Sequence, residues 1–347
     1  MKLEDLVQTL SRTHLTLYER ANKAVNSSLV VRNWLFGCHI VEFEQEGDDR
    51  AQYGRHLLAG LSERLRASGV PGCSVSNLKN FRQFYAAYPE IRQTLSGELS
   101  TGRAMEQLGE QFRLGWSHYQ VLTSLKNPDE RRFYEIEAAA NGWRVRELER
   151  QIAASLFERL ALKGNSSDTQ HLAIKGQVLE DPRDAIKNPY VLEFLGLEER
   201  PTYSEFELET AIIDKLEHFL LELGKGFLFE ARQKRFSFED EHFHVDLVFY
   251  NRLLRCYVLI DLKLDKLTHQ DLGQMQMYVN YFDRYVKIEG ENPTIGMVLC
   301  KRKNDALVEL TLPKDANIFA SQYQLYLPSK DELRRQMEEA ARETASA

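Results

Sequence analysis

Two carboxylates and a lysine stand inside stretches that otherwise belong in a core. Asp246 interrupts the apolar run His242-Phe-His-Val-Asp-Leu-Val-Phe-Tyr250. After a turn over 251–254, Asp261 and Lys263 interrupt Cys256-Tyr-Val-Leu-Ile-Asp-Leu-Lys-Leu264. Both runs read as strands. Side chains two apart share a strand face, so Asp261 and Lys263 point together while Ile260, Leu262 and Leu264 face a core. Charges there are expensive unless they pair or hold a metal. If the strands are antiparallel neighbours, Asp246 and Asp261 converge on an oxygen-rich site suited to Mg²⁺ or Mn²⁺, which takes one or two carboxylates together with waters and phosphate oxygens. A metal there would acidify a bound water and neutralise a phosphodiester under attack. Lys263 would orient or help deprotonate that water and offset developing negative charge. The same residues permit a structural reading, in which Asp246 pairs with Lys263 and Asp261 caps a strand end. Spacing alone favours that second reading.

The elements that must position these side chains follow from periodicity and punctuation. Glu205 to Leu223 reads as one amphipathic helix stopped by Gly224 and Gly226. Strands are expected over Phe227 to Arg235, His242 to Tyr250, Cys256 to Leu264 and Ile295 to Cys300, with a helix from Gln270 to Tyr285 between the last two. This order gives a mixed α/β domain over residues 201–329. Residues 1–163 read as helix almost throughout, with patterns at Val30 to Phe43, Tyr53 to Leu65, Asn77 to Tyr88, Ser117 to Leu125 and Arg144 to Leu162. Residues 164–200 read as a polar linker followed by a docking segment around Pro189-Tyr-Val-Leu-Glu-Phe-Leu-Gly196, and 330–347 as a polar tail. The chain is expected to be α+β overall.

The pattern D-x14-D-x-K, preceded by a Glu-rich helix and followed by a helix with Gln274 and Gln276, resembles the PD-(D/E)XK nuclease superfamily and, more closely, its bacterial YhcG-like branch. The resemblance is carried by Tyr203-Ser-Glu, Leu208-Glu-Thr-Ala-Ile-Ile213, Leu220-Leu-Glu-Leu-Gly-Lys-Gly-Phe227, Val245-Asp-Leu-Val-Phe-Tyr250, Leu253-Leu-Arg-Cys256, Ile260-Asp-Leu-Lys263, Gly273-Gln-Met275 and Glu291 to Lys301. It extends upstream over Trp116-Ser-His-Tyr119, Val145 to Ile152 and Tyr190 to Gly196, and so covers nearly the whole chain. It implies a restriction-endonuclease-like fold and a metal-dependent nuclease, with Asp246, Asp261 and Lys263 in the active-site pattern. Glu209 matches the glutamate of the first helix and would assist through water or metal. Gln274 matches the polar residue that positions the lysine or the substrate. Asp261 departs from the glutamate expected in this branch, and its shorter arm would shift the metal distance. Because such enzymes often cut as pairs, a homodimer is implied too.

Other residues carry weaker signals. Glu205 and Glu207 read as a solvated helix face, His242 and His244 as a partly exposed strand face, and His269 as a loop residue. Arg232-Gln233 reads first as a salt bridge and second as a phosphate contact. In the helical half, residues 51–92 net +4 through Arg55, Arg64, Arg66, Lys79, Arg82 and Arg92 against Glu63 and Glu90. Two helices joined by Ser68-Gly-Val-Pro-Gly-Cys73 suit a helix-turn-helix, with Ser74 or Ser76 as cap and Arg55, Arg64, Arg66, Lys79 and Arg82 against DNA. A solvated basic face on a bundle fits equally well. Trp34, Trp116 and Trp143 read as core.

Composition bounds these readings. The 347 residues suit two domains, each large enough for a core. The four cysteines, Cys38, Cys73, Cys256 and Cys300, are widely spaced without a CxxC pair, which argues for a reducing, cytoplasmic setting. No run of about 18 apolar residues implies a membrane span. The net charge of -7 argues against a generally basic nucleic-acid coat protein and leaves local basic patches open. Residues 1–200 contribute -1 and residues 201–300 contribute -6, so the helical half would do most of the holding of a polyanion. The expectation is a Mg²⁺- or Mn²⁺-dependent DNA endonuclease in genome maintenance or defence, with a helical domain that selects DNA or a protein partner. Its rivals are an inactive DNA-binding scaffold and an RNA nuclease.

Overall fold

The computed structural model describes residues 3–46, 56–93, 102–161, 166–197, 203–238, 241–313, 316–327 and 329. The chain divides into two compact units, Met1–Glu149 and Arg150–Ala347. The second begins ahead of the break at 163 drawn from composition. The proposed tail, 330–347, and Arg55 lie outside the described residues.

The first unit is helical. Its longest helix, α1 (Leu3–Glu46), is continuous where periodicity marks only parts of it. Helices α2 (Leu57–Ala67) and α3 (Val75–Ala87) follow, and Ser74 caps α3 by accepting the Asn77 N–H at 3.2 Å, one of the two caps read from the sequence. Further helices are α4 (Glu90–Gln93), α5 (Gly102–Gln111), α6 (Trp116–Leu122) and α7 (Pro128–Asn141). The core between α1, α3 and α6 is aromatic. Phe84 lies 5.3 Å from Trp116 and 5.0 Å from Tyr119 between ring centroids, and Trp34 lies 5.1 Å from Tyr85. Trp34 and Trp143 are buried and Trp116 partly so, as core residues should be.

The unit boundary falls inside α8 (Val145–Ala153), and α9 (Leu156–Ala161) follows after Ser155, whose φ of 52° breaks the single helix expected there. Within the stretch read as linker, Ser166–Lys175 forms α10 and Tyr190–Val191 forms β1. Next come α11 (Glu205–Asp214) and α12 (Leu216–Leu223). The periodicity gave one helix here, but Lys215 leaves helical geometry at φ -116° and ψ 30°. The remaining elements are β2 (Phe227–Phe238), β3 (Glu241–Asn251), β4 (Cys256–Lys266), α13 (His269–Tyr281), β5 (Ile295–Arg302), α14 (Asp305–Thr311) and β6 (Ile318–Gln324).

Among the described residues the strands form one six-stranded sheet in the order β1-β6-β5-β4-β3-β2. The β2–β3 and β3–β4 pairs are antiparallel and the others parallel, so the sheet is mixed, as expected. Helices α11 and α12 cover one face, where Leu208, Ile212 and Phe219 meet Leu247, Ile260, Leu262 and Met297. Helix α13 covers the other, where Leu272, Met275 and Tyr278 meet Val248, Leu259 and Val298. Central strands covered on both faces must be apolar nearly throughout. Charges within β3 and β4 therefore stand out. All four cysteines are buried, and none is in a disulfide. Among the described residues no helix is long and apolar enough to cross a membrane.

Candidate active site

The β3–β4 ladder holds as far as Leu247↔Ile260 and is lost at the next position, where Asp246 faces Asp261. There the Asp246 side chain replaces the missing ladder bond, its Oδ2 accepting the Leu262 N–H at 2.8 Å. The ladder thus ends where Asp246 faces Asp261, close enough for the charge of one carboxylate to act on the other.

Asp261 is 3% exposed. Its Oδ2 has the Lys263 ammonium at 2.9 Å but no hydrogen bond of good geometry. Burial and then the Asp246 charge push its carboxyl up to about 7, outweighing the downward pull of Lys263. Lys263 is held upward, above its ordinary range: burial works against its charge, but Asp261 and then Glu205, whose Oε2 is 3.6 Å away, prevail. The lysine thus pairs with Asp261, not with Asp246 as the structural reading had it. Glu205, read from sequence as solvated, reaches the site from the first turn of α11.

Glu209, one turn further on, is buried. Its Oε1 pairs with the Arg232 guanidinium, and its Oε2 accepts from the Gln233 amide, which also donates to Asp246 Oδ1 at 3.0 Å. Arg232 also donates to Thr210 Oγ1 at 3.0 Å, so the salt-bridge reading of Arg232 describes its contacts. Gln274, on the exposed side of α13, donates to the Tyr278 hydroxyl. Tyr278 is buried, and Asp261, Asp246 and Lys263 all act on its hydroxyl, which burial pushes upward. Gln274 therefore approaches the carboxylates through Tyr278, a residue that sequence reasoning passed over because an aromatic at helical spacing reads as core.

The arrangement fits a divalent cation. It offers two facing carboxylates, and the charge of the buried one, Asp261, is opposed chiefly by desolvation and then by the nearby Asp246, a penalty that a cation beside Lys263 would relieve. Among the described residues, no three His, Cys, Asp or Glu side chains are grouped to enclose a metal, so solvent or substrate oxygens would complete the coordination. His242 Nδ1 instead meets Ser237 Oγ at 2.9 Å, and His244 and His269 are exposed.

In the helical unit, Arg64 and Arg66 on α2 and Lys79 on α3 are exposed. Arg82 is engaged by Glu44 Oε1 at 2.8 Å.

A mixed sheet between helices, with Asp-…-Asp-x-Lys where a strand ladder ends, defines a PD-(D/E)XK nuclease. Residues 183–338 match the YhcG PDDEXK nuclease domain and residues 10–159 the DUF1016 N-terminal domain. The chain is 40% identical over 330 residues to "Putative nuclease YhcG" of Escherichia coli (strain K12), covering 90% of this chain and 87% of that one. The chain belongs to the YhcG nuclease family. Among solved structures, a repair endonuclease from Pyrococcus abyssi is 17% identical over 38% of this chain and 50% of its own, with a TM-score of 0.24, too slight a likeness to bear on function.

Proposed function

We propose that the C-terminal unit hydrolyses DNA phosphodiester bonds with Mg²⁺ or Mn²⁺, as an endonuclease of genome maintenance or defence against foreign DNA. The observation that carries this reading is the buried Asp261 carboxylate facing Asp246 where the β3–β4 ladder ends. Asp246 and Asp261 would hold the cation. Once bound, it would lower the pKa of water and neutralise the attacked phosphate. Lys263, kept protonated by Asp261 and Glu205, orients the attacking water and stabilises negative charge on the phosphoryl oxygens. Glu209 acts from behind Asp246, through Gln233. Gln274 would position the lysine or the substrate through the Tyr278 hydroxyl, on which the Lys263 charge acts.

The helical unit would hold DNA or a protein partner, with Arg64, Arg66 and Lys79 among its exposed cations, and cutting both strands would call for a homodimer. A nuclease fold kept for binding alone is the competing reading, favoured by the closed pairs Lys263–Asp261 and Arg232–Glu209.

The test uses plasmid, linear and branched DNA alongside RNA, with Mg²⁺ or EDTA, and compares the wild type with Lys263→Ala. DNA cleavage that needs Mg²⁺ and falls by about 10² or more in the variant is expected. Cleavage that survives Lys263→Ala removes the assignment. No cleavage by either protein favours the binding reading, and preferential RNA cleavage redirects the substrate.

A further inference from the structure

Arg232 and Gln233 are consecutive residues of β2, yet both reach the carboxylate of Glu209. In a regular strand neighbouring side chains point to opposite faces, so this should not happen. It happens because Gln233 has a φ of 46°, in the left-handed region that a residue with a side chain seldom occupies inside a strand. The pairing of β2 with β3 runs Arg232↔Leu247 and then Lys234↔Val245, passing over Gln233 and the facing Asp246. The break in β2 thus lies directly across from the break between β3 and β4. The cores register the same disturbance: Leu247 and Phe249 pack toward α11 and α12, whereas Val245 and Val248 both pack toward α13.

Backbone strain of this kind persists where its surroundings over-determine it, and it gathers at functional sites. Here the strain has an identifiable product. An amide nitrogen carries two N–H groups, and a carboxylate can only accept. Gln233 spends one N–H on Glu209 Oε2 and the other on Asp246 Oδ1. With Oδ2 of Asp246 held by the Leu262 N–H, both oxygens of that carboxylate are pinned, each by one donor, and each keeps a lone pair to offer. The amide also separates two carboxylates that would otherwise repel.

We infer that Gln233 is a positioning residue of the metal site, whose kinked backbone and two-way amide aim the Asp246 carboxylate at a divalent cation. The inference rests on the nuclease reading above and deepens it. Partners that orient a ligating group typically contribute 10–100-fold to metal affinity. The effect should therefore appear in binding, apart from turnover.

The test compares the full chain with Gln233→Gly and Gln233→Asn. Glycine adopts a positive φ without strain but has no amide. Asparagine tolerates the left-handed region but is one methylene too short to span both carboxylates. Mn²⁺ affinity is read by electron paramagnetic resonance titration, the thermal midpoint in EDTA, and cleavage as a function of Mn²⁺. Both variants should bind Mn²⁺ about 10-fold or more weakly, irrespective of how their thermal midpoints differ. Cleavage should be lost at limiting Mn²⁺ and recover toward the wild-type rate at saturation. Affinity equal to the wild type overturns the inference, as does an affinity that falls only in step with the thermal midpoint. If the wild type itself neither binds Mn²⁺ nor cleaves, the nuclease reading fails and takes this assignment with it. If the wild type does both and the variants match it, Gln233 alone is dismissed.

Discussion

At the level of single residues, the charge on Asp261 is a cost carried by the folded protein. Its folded-state carboxyl, pushed up to about 7 by burial and Asp246, binds a proton more tightly than in an unfolded chain, where it titrates near 3.9. Between those values the folded state holds more protons, so stability falls as pH rises through the window and the penalty is complete above it. Asp261→Asn should thus stabilise the protein in EDTA at pH 8, by about 2 kcal/mol, equivalent to a rise of about 4 °C in the unfolding midpoint of the unit Arg150–Ala347. At pH 4, where Asp261 is already neutral, the gain should vanish. Calorimetry at both pH values checks this, and a gain independent of pH would rule out the titration as its source. The same burial made Asp246, Asp261 and Lys263 legible in the sequence, because charges interrupting aliphatic strands are conspicuous. Glu209 and Gln274 were legible only through family resemblance. Gln233 was read no further than a phosphate contact, since nothing in Glu-Ala-Arg-Gln-Lys-Arg marks one residue as left-handed.

Elements were legible wherever their periodicity was sustained. Strands β3, β4 and β5 and helix α13 lie close to where apolar runs placed them. Strand β6 was missed because Ile-Phe-Ala-Ser-Gln-Tyr-Gln mixes polar and apolar residues without clean alternation, and β1 has two residues, too few for any pattern. The division between α11 and α12 at Lys215 carries no glycine or proline to announce it. Gly37 illustrates the converse, a residue whose local meaning misleads. Inside α1 it looks like a weak point for a helix. A Cβ there would sit 2.0 Å from the carbonyl oxygen of Phe81 and 3.0 Å from Tyr85 Cβ, so α1 and α3 cross where only glycine fits. Gly37→Ala gains intrinsic helix propensity yet forces two backbones apart. Overpacking of this kind costs about 1–3 kcal/mol. The expected result is a lower urea midpoint for the helical unit, with the metal affinity of the full chain unchanged. A raised midpoint would show that propensity outweighs the crossing.

For the whole molecule, the telling group is Glu222, which lies far along the sequence from most of its partners. It is fully buried and meets Arg159 Nη1 at 2.6 Å and Arg150 Nη2 at 3.3 Å, while its Oε1 accepts the Val191 N–H at 3.0 Å. Burial alone would raise its pKa, but Arg159, Lys187 and Arg150 together hold it down at about 2. Composition could not reveal this network, because α8 and α9 look like the end of the helical half, whereas Arg150 and Arg159 are in fact counterions of the nuclease unit. A buried pair stripped of a partner costs about 3–5 kcal/mol. A fragment of residues 183–347, which begins where the nuclease family match begins, lacks both arginines. It should therefore unfold at a much lower urea concentration than residues 150–347, the compact unit as it stands. The pH dependence gives an independent reading. With its folded pKa depressed, Glu222 contributes stability that is fully present above its unfolded value, near 4.3, and is lost as pH falls toward about 2. Residues 150–347 should lose part of their advantage over the shorter fragment as acid is added through that window. Equal urea midpoints at neutral pH would mean that Arg150 and Arg159 do not stabilise the nuclease unit. A midpoint difference that persisted unchanged to pH 2 would assign it to packing of α9 and not to the charge on Glu222.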